Sequence, residues 1–502
     1  MIGIILAIAY TALFIFIILK INFFKSELLS RKFIVLIFIL KIIAGTALWF
    51  VYTRLYTDRL SADIFKYFDD GKIMYNTLFS KPLDYFKMLL GIPDSSLQHY
   101  YDDDMRNWTR SFNHNLYNEN RTLIRFNALV DIFSFGNYHV HTVFICFLSL
   151  MGLMGIFKTF SSFLTNKKKE LLLAVFLLPS VLFWGSGVLK EGLILFSLGM
   201  CIYHFHKLLN EKISIKRLVL LFLFLFLLAI TKIYILLIIL PAFIAYAWIL
   251  KTQNKLPEIK YLIVFVVYFF LGLVIPKYNF SFMLMDQQRQ AINIAKGGSY
   301  LANINADKFI YIDPKIENRI IRLKEKPGYC KIALSVSYVS WNLKTSRDSV
   351  YVKNSTDTCT YWVYYDQSAA GSSINIPHLD GTFFSLVKNS PLAFLNVAFR
   401  PSIFEAKNPL MLISAIENLF IVFFICICIF FYSKKIANRH LFYFCLCIVI
   451  LLFVLIGITT PILGAAVRYK IPGLPFLLIG FLFLLDKEKL LQKIPFLKKY
   501  IG

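Results

Sequence analysis

Three carboxylates crowd the stretch 61–75, Ser-Ala-Asp-Ile-Phe-Lys-Tyr-Phe-Asp-Asp-Gly-Lys-Ile-Met-Tyr: they are Asp63, Asp69 and Asp70. Lys66 and Lys72 lie among them, with Tyr67, Phe68 and Tyr75. If the stretch is helical, Asp63 and Asp70 are seven residues apart and share a face, with Tyr67 between them. Carboxylates this close raise one another's pKa and can act as a general base, or they can hold a divalent metal. An acidic, solvated loop capped by interfacial aromatics would show the same residues.

A second stretch, 178–193, reads Leu-Pro-Ser-Val-Leu-Phe-Trp-Gly-Ser-Gly-Val-Leu-Lys-Glu-Gly-Leu. The adjacent pair Lys190-Glu191 is costly at membrane depth unless it faces a polar cavity or a partner. A Gly185-Ser-Gly187 turn would leave backbone N–H groups free at a helix N-terminus, which suits an anion. The plain alternative is a helical hairpin whose charged pair reaches the interface. Lys232, the Arg400-Pro401 and Glu405 group, Glu417-Asn418 and the run Arg468-Tyr-Lys470 add ionisable residues near other apolar ends. Single cations at helix ends commonly snorkel. Several at one level predict an acidic ligand, such as a lipid phosphate held by Lys and Arg.

The elements that must carry these residues are helices in lipid. The chain has 502 residues, 58% hydrophobic, and a mean hydropathy of +0.65, with repeated apolar runs long enough to cross a bilayer. Its formal charge of +25 falls largely in short connections between those runs, which encodes orientation and argues against nucleic acid as a partner. The first run, 2–19, lacks a basic region before it and a small-residue cleavage site after it, so it reads as a retained helix rather than a signal peptide. The expected fold is an all-α polytopic membrane protein of about eleven transmembrane helices, N-terminus outside and C-terminus inside. Residues 1–52 hold helices one and two, and 53–138 form a first extracytoplasmic segment. Residues 139–276 hold helices three to eight, as hairpins turning near 185–187 and 231–232 before a last helix. Residues 277–406 form a second extracytoplasmic segment, 407–486 hold helices nine to eleven, and 487–502 make a basic cytoplasmic tail.

Both outer segments are too long for bare linkers. In the first, 122–135 has apolar residues at helical spacing and should lie along the interface. In the second, 329–365 alternates and is rich in aromatics, which predicts a small β-containing domain. Cys146, Cys201, Cys426, Cys428, Cys445 and Cys447 fall inside apolar runs and read as small buried residues. Cys330 and Cys359 share an outer segment where oxidation is allowed, so a disulfide is expected, with two free thiols as the alternative. No His/Asp spacing argues for a metal site, although Asp69-Asp70 leave a divalent ion open.

The arrangement resembles the C-type (GT-C) glycosyltransferase superfamily, multi-helix enzymes that use polyprenyl-phosphate-linked sugars. In that superfamily an early helix leads into a long extracytoplasmic loop with an acidic catalytic base near its start. Asp63 matches that position, with Asp69 or Asp70 as alternates. The hairpin Pro-Ser-Val-Leu-Phe-Trp-Gly-Ser-Gly-Val-Leu-Lys-Glu and the late Arg-Tyr-Lys-Ile-Pro are similar to elements of bacterial members. The resemblance implies a bacterial cytoplasmic (inner) membrane protein with an extracytoplasmic active face. Its partners would be membrane lipid, a polyprenyl-phosphate-linked sugar donor and a glycan, lipid or protein acceptor. Asp63 would be the base, and Lys190, Arg468, Lys232 or Arg400 the phosphate partners. Glu191 would orient Lys190 or bind sugar hydroxyls, and Glu405 and Lys470 would complete the substrate site. The segment 277–406 lies between helices instead of forming a C-terminal domain. In that respect the chain looks more like O-antigen polymerases and ligases, for which Arg400, His378 and Arg289 would be candidates. A transporter or flippase of an acidic glycolipid would use the same cations and no base, and a non-catalytic assembly protein would use the outer domain for docking.

Overall fold

The first two apolar runs become α1 (Ile2–Lys20) and α2 (Arg31–Arg54) in a computed structural model. It describes residues 2–498 apart from 57, 61, 109–116, 254, 275–279, 304–308, 313–319, 327–328, 335–337, 343–346, 352–358, 435 and 437. Ser30 Oγ accepts the Phe33 N–H at 3.2 Å and caps α2. Most of α1 presents its apolar side chains outward, with only Phe14 and Ile18 buried, as a helix facing lipid does.

The first long connection folds as a unit. It contains α3 (Asp63–Ser80), α4 (Pro82–Leu90) and α5 (Asn120–Ser134), and α5 covers the interfacial stretch expected at 122–135. Gly71 of α3 lets α5 approach, since a Cβ there would come within 2.7 Å of Asn127 Cβ. Trp108 stacks on Tyr101 and lies under the guanidinium groups of Arg121 and Arg125. His141 of α6 (Tyr138–Ser161) fastens α5 from below: its ring nitrogens lie 2.9 Å from Asn127 Oδ1 and 2.9 Å from Asp131 Oδ1.

α7 (Lys168–Phe176) and α8 (Pro179–Trp184) form a broken limb, interrupted where Pro179 cannot continue a helix. α9 (Lys190–Asn210) follows and crosses α6 in backbone contact. A Cβ on Gly152 would overlap the Leu195 carbonyl and one on Gly199 the Gly152 carbonyl, which is the small-residue packing that membrane helices favour. α10 (Ile215–Lys251) folds back at Lys232, whose backbone is extended (φ −158°, ψ 91°). Phe224 packs on Phe196 and Tyr246 on His206, so the two halves run in opposite directions beside α9. The hairpin expected to turn at 231–232 is therefore present.

α11 (Pro257–Val274) leads into the second long connection, which begins with α12 (Phe280–Lys296). Its strands are β1 (Gly298–Asn303), β2 (Phe309–Tyr311), β3 (Ile321–Lys326), β4 (Tyr329–Leu334), β5 (Tyr338–Asn342), β6 (Arg347–Tyr351) and β7 (Cys359–Gln367). Five of them make an antiparallel sheet in the order β2-β1-β7-β4-β3, and β5 pairs with β6. The register corrects the expected disulfide. Cys330 lies opposite Val363, while Cys359 lies opposite Leu334, four positions along the strand and therefore roughly 13 Å away at ~3.3 Å per residue. A disulfide needs Cα atoms within about 7 Å, and Cys330 is a buried free thiol.

The sequence reading also left out α13 (Phe383–Phe399). It packs on α15 (Arg439–Thr459), where Gly457 leaves room for the Ala393 carbonyl. α14 (Pro409–Phe430), α16 (Leu463–Tyr469), α17 (Leu474–Leu484) and α18 (Lys487–Lys493) complete the chain. Among the described residues seven helices are long and apolar enough to cross a membrane, or eight if α16 and α17, bent by 65°, make one span. The protein is thus a mostly helical, polytopic membrane protein with a small sheet in one connection. The other passes expected from the sequence fall on the second half of α10, the short pair α7–α8 and α11, none of which is a separate span among those seven or eight.

Candidate functional site

Asp63 opens α3, Glu191 lies in the first turn of α9 and Arg468 in the last turn of α16. Each charge complements the dipole of its own helix end. Packing brings these ends together around a cavity of about 240 Å³. Arg468 donates through Nη1 to Asp63 Oδ2 and through Nε to Glu191 Oε1, both at 2.6 Å. Lys66 Nζ lies 3.5 Å from Asp63 Oδ1. Burial pushes the Asp63 carboxyl up, but the Arg468 guanidinium, with Lys66 and Lys190, outweighs it and holds the group well below the usual carboxylate range.

On the other side of the cavity two lysines share one carboxylate. Lys190 Nζ donates to Glu119 Oε1 at 3.2 Å and to Asn120 Oδ1 at 2.6 Å, and lies over the Tyr67 ring. Lys232, at the fold of α10, donates to the same Glu119 oxygen and lies between the rings of Tyr234 and Tyr469. Asn107 completes the wall.

Of the expected site residues, Asp63, Lys190, Lys232 and Arg468 line this one cavity, and Glu191 lies buried against Arg468 without lining it. Asp69 turns away and forms a bidentate pair with Arg59 (2.9 and 2.5 Å). Asp70 is buried and accepts the backbone N–H groups of Arg106 (3.2 Å) and Asn107 (2.7 Å), so it braces the cavity wall from behind. Burial raises its carboxyl to about 6 despite those two donors. The adjacent carboxylates thus serve different partners. Among the described residues no group of three or more His, Cys, Asp or Glu could hold a metal ion.

Lys470 does not line the cavity. It is buried, donating to Asn418 Oδ1 (2.7 Å) and to the Val397 carbonyl at the C-terminal end of α13 (3.0 Å). Arg400 pairs with Glu405, and that hydrogen-bonded partner holds the Glu405 carboxyl down to about 2. Neither of these two lines the cavity, nor does His378 or Arg289.

Sequence reasoning missed Glu119 and Asn120, which sit in a polar run just before an amphipathic stretch and carry no motif. It also missed Lys41, a lone lysine inside the apolar run of α2, where an intramembrane charge is itself a signal. Lys41 donates to the Gly185 carbonyl at the end of α8 (3.1 Å), while Glu417 of α14 accepts the Ser180 N–H near its start (2.7 Å). Both ends of this short helix are held by buried charges of the matching sign, and that fixes the turn from which Lys190 and Glu191 emerge.

Comparison of the chain with protein-family models, with curated proteins and with solved structures returns no match.

Proposed function

We propose that the protein is an integral membrane glycosyltransferase of the C-type kind. It would move a sugar from a polyprenyl-phosphate-linked donor to a glycan, lipid or protein acceptor. The observation that carries this reading is the meeting of a helix-opening carboxylate, Asp63, with Arg468, Lys190 and Lys232 in one polar cavity. Its volume lies below the roughly 300–1,000 Å³ of pockets that enclose a whole ligand, and suits a head group whose lipid tail stays outside. In the reaction the acceptor oxygen forms a bond to the sugar carbon, and the bond from that carbon to the phosphate oxygen breaks. The electron pair leaves with the phosphate, and the acceptor proton goes to Asp63. The cations stabilise the charge that builds on the leaving group. While clasped by Arg468, Asp63 is a weak base, and a donor phosphate competing for that guanidinium returns its basicity.

The finer topology belongs to the same proposal. Eleven passes would place the cavity on the extracytoplasmic face of a bacterial cytoplasmic membrane. Supporting this, Lys20, Arg31 and Lys158 in terminal turns and Lys25, Lys167 and Lys212 in the short connections gather at the opposite end of the helices.

The Asp63–Arg468 pairing also favours a second reading, a carrier of an acidic glycolipid, in which the carboxylate neutralises the empty site and no base is needed. The two separate on one substitution. Asp63→Asn, in protein reconstituted in nanodiscs with labelled polyprenyl-phosphate-linked sugars, should keep donor binding and lose transfer by about 10²–10⁴-fold. Full transfer by this variant would end the glycosyltransferase reading.

A further inference from the structure

We infer that Glu119 is an internal counter-anion: its carboxylate holds the place of a phosphate between Lys190 and Lys232, and an anionic substrate enters by displacing it. This rests on the reading of the cavity as a phosphate site. Glu119 Oε1 is the shared acceptor of both ammonium groups. Those groups come from the start of α9 and the fold of α10, two elements packed directly against each other, so their spacing is set by the helices. The carboxylate arrives from elsewhere, at the start of α5 in the first long connection.

Each lysine has support that does not depend on Glu119. Lys190 keeps Asn120 and the face of Tyr67, and Lys232 keeps the faces of Tyr234 and Tyr469. The position of the Glu119 oxygen is therefore a preformed oxygen site flanked by two cations. Arg468 is different, because carboxylates from two other helices clasp it, and one of them, Glu191, is almost fully enclosed (3% exposed against 17% for Glu119). Glu191 is thus the anion locked in place, while Glu119 and the more open Asp63 (32% exposed) are the ones an entering phosphate can displace.

Displacement also sets selectivity. A phosphate monoester brings more charge and more acceptor oxygens than a carboxylate, so it outcompetes Glu119. An uncharged sugar or a simple carboxylate does not. The carboxylate lowers the affinity of the site for every anion alike, and only a phosphate has interaction to spare. Between turnovers Glu119 keeps two cations from facing each other across an empty cavity, which would be costly at low exposure.

The test uses the full-length protein in nanodiscs with two probes, farnesyl phosphate and inorganic phosphate. Glu119→Gln is expected to bind farnesyl phosphate about tenfold more tightly, the effect of removing one competing buried charge. Lys232→Met should weaken binding, and in that background Glu119→Gln should add much less, because the two residues share one oxygen position. Glu119→Asp keeps the charge for folding but shortens the reach. It should tighten binding to a smaller extent, and it decides the matter should the glutamine variant fail to fold. Tightening of both probes supports a site for phosphate itself. Tightening of farnesyl phosphate alone supports a lipid-borne phosphate. Unchanged or weaker binding of both overturns the counter-anion. If binding fails to tighten while Asp63→Asn still abolishes transfer, only the counter-anion falls. If binding tightens but Asp63→Asn transfers at full rate, the counter-anion stands and the transferase reading falls.

Discussion

Two sets of buried charge sit near one another and are built on opposite principles. In the cavity, Lys190, Lys232 and Arg468 are met largely by the side-chain carboxylates of Glu119, Asp63 and Glu191. In the scaffold, Lys41 meets the Gly185 carbonyl, Lys470 meets the Val397 carbonyl and Asn418, and Glu417 meets the Ser180 N–H. A side-chain carboxylate can rotate away and be replaced by a ligand anion. A backbone carbonyl at a helix end cannot leave without undoing the helix. The partner, more than the charge, tells a binding residue from a structural one.

The largest effect outside catalysis should come from breaking the scaffold set. Lys470→Met leaves the end of α13 and Asn418 without their donor, in a place sealed from water. It should cost about 1–3 kcal/mol of stability for each of the two acceptors left unsatisfied, read from denaturant or thermal unfolding in detergent. Lys232→Met should cost clearly less, because Glu119 keeps Lys190. Equal losses would erase the distinction between the two sets.

A smaller effect sharpens the role of Asp70 as a brace behind the cavity. Its carboxyl titrates near 6 in the fold, above the ~4 of an unfolded chain. The folded state therefore holds the proton more tightly, and the stabilising contribution is complete below about pH 4. It is lost as pH rises from about 4 to about 6 and is constant above that, a change of roughly 2–3 kcal/mol. Asp70→Asn removes this titration. Unfolding of the wild type and the variant across pH 4–7 should show their difference narrowing upward through that window. A parallel pair of curves would mean that Asp70 titrates normally.

The smallest effect is expected at Asp69. Its pair with Arg59 is exposed (39% and 51%), so Asp69→Asn should change stability by no more than ~1 kcal/mol and leave donor binding intact. A loss of transfer here to match Asp63→Asn would restore the paired-carboxylate site that the geometry separates.

The membrane class, most helix positions and the fold of α10 at Lys232 were legible because hydropathy and charge are local properties of a chain in lipid. So were Asp63, Lys190, Glu191, Lys232 and Arg468 as ionisable residues at the ends of apolar runs. Their convergence was not legible, since Asp63 and Arg468 are 405 positions apart and only packing decides whether they touch. The same limit explains the errors. Asp69 and Asp70 are neighbours in sequence, but successive residues point about 100° apart on a helix, toward an arginine and toward backbone amides. Arg468 and Lys470 share a motif yet fall on opposite sides of a helix end, one in the cavity and one under α13. Cys330 and Cys359 share a sheet, but register, not proximity in the chain, sets which residues face each other. Glu119 had no sequence signal at all. A carboxylate becomes a counter-anion only when two helices from elsewhere in the chain deliver their lysines to it.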